Sequence, residues 1–247
     1  MRELLDLVMC EFWKLKRRKF IILTIFAAVL FPVPLTIFAK KGNLDFNWLF
    51  SNICVFGYFL LLPTVLGILG AILFYTEKTN GTQKNINTIP VSNIALSTAK
   101  SITILIFSII YSLGTNVATL IGGFIIGNVD HIAYRLLLGI LIGIMVSFSV
   151  FPIIVIEYLS NKGYIFSIII SFAYATSNFA IVFAMSNVLF PLSAVFRWAL
   201  PYMTMTSGST YGLDNWFLNT PSCIGILILT TAASLTIAVI LKKRQEI

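Results

Sequence analysis

The side chains able to do chemistry in this chain are few and far apart. One histidine, His131, and three cysteines, Cys10, Cys54 and Cys223, stand beside nine carboxylates. A metal centre needs several such ligands at short spacing, and neither C-x-x-C nor H-E-x-x-H occurs. The odd, scattered cysteines imply no disulfide framework, and Cys54 and Cys223 read as packing residues. No G-x-x-x-x-G-K-S/T stretch is present to cradle phosphates, so ATP binding through a P-loop is not expected. The nearest approach to a G-x-S-x-G nucleophile turn is Gly208, Ser209, Thr210, Tyr211, Gly212, with threonine at its centre. An intramembrane protease or acyltransferase needs a nucleophile–base pair or a metal, and the one histidine lies in a polar connection. The expectation is a chain that is not an enzyme and carries no metal or cofactor.

What must position any functional group is a set of apolar stretches: residues 20–39, 49–75, 102–127, 136–159, 164–189 and 221–241. Each comes close to or exceeds the ~20 residues a helix needs to cross a bilayer. Hydrophobic residues make up 58% of the chain and charged ones 11%, and the stretches are apolar all round, unlike the one-sided stripes of a soluble domain. Strands of a membrane barrel would alternate over ~10 residues, and these do not. The expected fold is all-α: six transmembrane helices in residues 20–247, preceded by an amphipathic helix over 1–19.

Charge sets the expected orientation. Of the 17 lysines and arginines, only Lys40, Lys41, Arg135 and Arg197 fall on the side opposite the termini. Positive residues gather on the inner side, so both termini are expected in the cytoplasm. The net charge of +8 sits at span ends, where it serves orientation and lipid headgroups and not nucleic acid. In residues 1–19, Leu4, Leu5, Val8, Met9, Phe12 and Leu15 share one helical face, and Asp6, Lys14, Arg17 and Arg18 the other. That pattern suits a helix in the inner membrane interface, with Leu4, Val8 and Phe12 in the apolar layer and Arg17 and Arg18 near anionic lipid; a cytoplasmic cap on the first span is the alternative.

Pro32 and Pro34 interrupt the first span, as a kink or a gating hinge. Trp48 is expected at the outer interface. Glu157 lies near the inner end of the fourth span, where it either reaches headgroups, pairs with Lys162, or is a functional intramembrane acid. The outer connection 190–220 is too aromatic for free solvent, so short helices dipping back over the bundle are expected. Phe196, Arg197, Trp198 and Tyr202 form a candidate outer gate in it, with Trp198 and Tyr202 as interfacial anchors and Arg197 snorkelling or meeting an anionic group.

The connection 76–101 carries Glu77, then Gly81 and Thr82, then Pro90, Val91 and Ser92, then Ala99 and Lys100 leading into the third span. In these residues, and in its layout of amphipathic helix, six spans and apolar outer connection, the chain resembles the ABC-2 type permeases, the membrane subunits of a class of ABC exporters. Within that family its length and its start, Glu11, Phe12, Trp13, Lys14, Leu15, Lys16, Arg17, resemble permeases for lantibiotic immunity and bacitracin resistance. The resemblance implies that 76–101 is a coupling segment docking on a separate cytoplasmic ABC ATPase, with Glu77, Gly81, Thr82 and Lys84 at the contact. It implies a second permease subunit, identical or related, an antimicrobial peptide substrate and residence in a bacterial cell membrane. An ABC-2 permease for another amphipathic or lipid-like substrate, or a non-transporting scaffold or sensor, are the alternatives.

Overall fold

The computed structural model describes residues 2–16, 18–79, 93–127, 129–159, 164–184, 189–204 and 216–245. All regular structure in them is helical. In chain order the elements are α1 (Arg2–Lys16), α2 (Lys19–Leu30), α3 (Pro32–Lys41), α4 (Phe46–Ile53), a π-helical segment (Cys54–Leu61), α5 (Leu62–Thr79), α6 (Asn93–Ile126), α7 (Ile132–Leu159), α8 (Tyr164–Ala184), α9 (Pro191–Met203) and α10 (Thr220–Gln245). Among the described residues, 6 stretches are long and apolar enough to cross a bilayer. These are α2 with α3, α4 through α5, and α6, α7, α8 and α10 singly. The fold is the expected all-helical, six-span one.

The third helix begins at Asn93, earlier than the apolar run suggests. Its polar entry does not break the helix because the hydroxyls turn back onto their own carbonyls. Thr98 Oγ1 donates to Ala95 O at 2.8 Å, Ser101 Oγ to Ser97 O at 3.0 Å and Thr103 Oγ1 to Ala99 O at 2.9 Å. The same device hides Thr115, Thr119, Thr230 and Thr231 inside spans, since hydrocarbon offers no other partner. The first span divides at Phe31, where Pro32 opens α3 as a first-turn proline. There its missing N–H costs least.

The six spans are not equivalent. The second span is 72% buried and the fourth 67%, against 28% for the first and fifth and 17% for the sixth. The second and fourth therefore form the centre, and the others leave most of their surface uncovered by the rest of the chain. Close approach rests on small residues. A Cβ on Gly70 would lie 2.7 Å from the Ile154 side chain of the fourth span, and one on Gly67 would collide with Ser171 of the fifth. Gly139 and Gly143 of α7 likewise receive Asn116 and Ser112 of α6. Lipid tails are as apolar as leucine, so such packing, with hydrogen bonds between helices, holds membrane helices together.

The second span is built in three pieces. After α4 the helix widens over Cys54–Leu61, and Leu62 N–H bonds to Gly57 O in the five-residue pattern of a π-helix. This widening, which is rare in soluble and membrane helices alike, carries Tyr58 and Phe59 into the core. Tyr58 donates its hydroxyl to Ser112 O of α6 at 3.0 Å.

Candidate functional sites at the two ends of the bundle

At the end of the bundle that carries the 76–101 connection, the two helices flanking it are tied together by Lys100. Its side chain is 3% exposed. Nζ donates to Leu73 O in the last turns of the second span at 2.8 Å and lies 4.8 Å from the centre of the Phe74 ring. A cation buried this deeply must be matched by carbonyl and ring charge, and here both come from the neighbouring helix. Lys100 is a residue of the resembling motif, but only the fold reveals what it grips. Glu77 lies in α5 as a helical residue, and its side chain lies outside the described part. Gly81, Thr82, Lys84, Pro90 and Ser92 fall outside the described residues, as do Arg17 and Lys162.

Glu157 does not reach the headgroups. It is 2% exposed, and its Oε1 accepts from Ser171 Oγ of α8 at 2.5 Å. Ser171 is the side chain that fills the notch left by Gly67, so three helices converge on this carboxyl. The same hydroxyl lies 2.7 Å from Ser167 O.

At the opposite end, α9 is a buried helix. Every residue from Pro191 to Leu200 is buried. Phe196 enters a box of rings from two spans, with its centre 4.7 Å from Phe59, 5.9 Å from Phe183 and 6.3 Å from Phe179, all edge-on. Such edge-to-face pairs add to the area they bury. Trp198 is not an interfacial anchor: it is 7% exposed and donates Nε1–H to Thr220 Oγ1 at 3.0 Å. Tyr202 stays at the surface, its ring 5.2 Å from that of Trp198 and tilted against it, and its backbone carbonyl accepts from Tyr134 at 3.3 Å. Arg197 does not snorkel either. It is 3% exposed beside the Trp216 ring at 5.7 Å, and burial lowers its affinity for the proton. The expectation for Trp198 and Arg197 failed because it assumed that their polar ends face water, whereas Pro191–Leu200 of α9 is buried throughout.

A third buried cation, Arg135, ties together the ends of the second and fourth spans on the α9 side of the bundle. Its guanidinium lies 4.6 and 4.8 Å from the Phe46 and Phe50 ring centres. Its Nε donates to Asp130 O at 3.0 Å and Nη2 to Asn47 Oδ1. Sequence reading counted Arg135 only as a charge at a span end. The signal available was an arginine directly before the apolar run 136–159, together with a Phe-Asn-x-x-Phe spacing over residues 46–50. His131, next to it, is exposed with φ 53°, and among the described residues no three His, Cys, Asp or Glu gather as metal ligands.

The amino-terminal helix α1 packs on α6. Val8, Glu11 and Leu15 face the bundle, with Leu4 and Phe12 half-buried. The apolar side chains that remain outward are Leu5, Met9 and Trp13. Glu11 is 1% exposed and paired with Lys14 at 2.7 Å. Arg18 is exposed just beyond the helix. The helix thus has three faces, not the two that the sequence pattern suggested.

Chemically, these arrangements provide anchoring and mechanical linkage: a rod running from the Phe59–Phe196 contact to the Lys100 tie. A family profile described as ABC-2 family transporter protein matches residues 7–178 of this chain. No curated protein and no solved structure matches it.

Proposed function

Because this chain belongs to the ABC-2 family of transporter proteins and is a permease subunit of an ABC transporter, we propose that it serves as the membrane channel of an exporter for antimicrobial peptides of the lantibiotic or bacitracin type. The family associates with an ABC ATPase; here the ATPase is a separate cytoplasmic chain, docking on 76–101 through Glu77, Gly81, Thr82 and Lys84. A second permease, identical or related, completes the channel in the bacterial cell membrane, with both termini inside.

The observation that carries this reading is the continuity of the second span. It is the most buried span. Its middle touches Phe196 through Phe59, and the end that leads into 76–101 is held by Lys100. A rigid push on the 76–79 end, delivered by closure of the ATPase, moves α5 and α6 as one body. It reaches α9 through the π-helical segment, where the helix is least regular and most able to change register. Phe196, Arg197, Trp198 and Tyr202 then act as the outer gate, withdrawn when the second span shifts. An amphipathic substrate enters laterally from the outer leaflet.

Purification with a candidate ATPase, followed by hydrolysis assays against a panel of peptides, tests this directly. Stimulation by lantibiotic or bacitracin-type peptides is the expected result. Stimulation by lipid-like amphiphiles alone would move the substrate class, and absence of any complex would favour a scaffold or sensor.

A further inference from the structure

Where α1 turns into the first span, the chain leaves a groove of about 430 Å³. Its walls are Met9, Phe12 and Trp13 of α1, Ile22 and Ile25 of α2, and Phe107 of α6. Lys16 also lines it, with Nζ 5.6 Å from the Trp13 ring centre. Arg18 and Lys19 follow at once, both exposed. The apolar walls belong to a helix lying against the bundle and to a span crossing the membrane, so the groove opens into the leaflet on the amino-terminal side. From this juxtaposition we propose that the groove is a binding site for one acyl chain of an anionic phospholipid, with its phosphate held by Lys16, Arg18 and Lys19.

The charges decide the occupant. Glu11, the acid closest in sequence to this corner, is already paired with Lys14, so among the described residues the three cations have no carboxylate of their own. A phosphate supplies the missing charge, and oxygen acceptors suit lysine and arginine alike. A second copy of the chain would bury Lys16 against apolar surface without compensation. A cationic peptide would meet like charge. The arrangement is independent of the substrate the permease moves.

The test uses the full chain in phosphatidylcholine vesicles containing increasing phosphatidylglycerol with brominated acyl chains, which quench nearby indoles. The difference between the wild-type and Trp13→Phe signals isolates Trp13. Quenching should reach half its maximum at a lower mole fraction of brominated phosphatidylglycerol than of brominated phosphatidylcholine. Lys16→Gln or Lys19→Gln should raise that mole fraction roughly fivefold each, the effect of one basic residue at an anionic surface. Lys41→Gln, at the far end of the first span, should leave it unchanged. Equal quenching by the two lipids would overturn the proposal by showing ordinary lipid contact. Quenching by neither would overturn it by showing that protein covers the groove.

Discussion

The Nζ of Lys100 donates to the backbone carbonyl of Leu73 at 2.8 Å, across the base of the connection between the second and third spans. A side chain from one helix thereby holds the backbone of another at the point where that backbone leaves the membrane. The tie makes the two helix ends a single mechanical unit. Lys100→Met keeps most of the volume and removes the cation. It should lower thermal stability by about 1.5–3 kcal/mol, the size of a hydrogen bond to a charged group. It should also reduce substrate-stimulated ATP hydrolysis more than basal hydrolysis. Unfolding in detergent and hydrolysis assays on the reconstituted complex measure the two effects.

Phe196 fills the ring box between Phe59, Phe179 and Phe183. Truncation to alanine empties that box from the middle of a buried helix. A loss of about 3–5 kcal/mol is expected, with Phe196→Leu retaining roughly half of the stability. If α9 gates the outer path, Phe196→Leu should also raise outside labelling of a cysteine placed at Phe59. Labelling equal to wild type would separate a packing role from a gating one.

The glycines predict a sharp contrast. Gly67→Ala and Gly70→Ala place a methyl against Ser171 and Ile154, and overpacking of this kind costs about 1–3 kcal/mol. Gly225 lies in α10 with nothing within 4 Å of an added Cβ. Gly225→Ala should therefore be neutral or slightly stabilising, since alanine favours the helix. Melting curves of the three variants check the order.

Arg135→Lys should behave as a loss and not as a conservative change. Lysine cannot lie flat between the Phe46 and Phe50 rings while donating to both Asn47 and Asp130 O. A drop in melting temperature comparable to that of Arg135→Gln is the expected outcome. Rescue by lysine would mean that charge alone matters at this corner.

Glu77→Lys reverses a charge at the inner end of α5. If that end docks on the ATPase, co-purification with the ATPase should fall while the permease alone stays as stable as wild type. Normal complex yield together with normal protection of cells against peptide would remove Glu77 from the contact.

Six spans, all-helical fold and family were legible in the residues themselves. Apolar length and charge at span ends are local quantities that the bilayer reads one segment at a time. The residues of 76–101 that carry the family resemblance were legible in the same way, as a run close in sequence. Which groups face each other was not. The apolar stripe of α1 is visible, but that Val8 and Leu15 turn to the bundle while Met9 and Trp13 stay outward depends on where α6 passes. The aromatic content of 190–220 leads to the expectation that the segment avoids water. Only the packed bundle decides that α9 is enclosed, with Arg197 and Trp198 inside. In hydrocarbon every span has an equally apolar surface, so hydropathy does not choose neighbours. Notches at Gly67 and Gly70, and the acceptors that Lys100 and Arg135 find on other helices, make that choice, and they exist only once the helices have met.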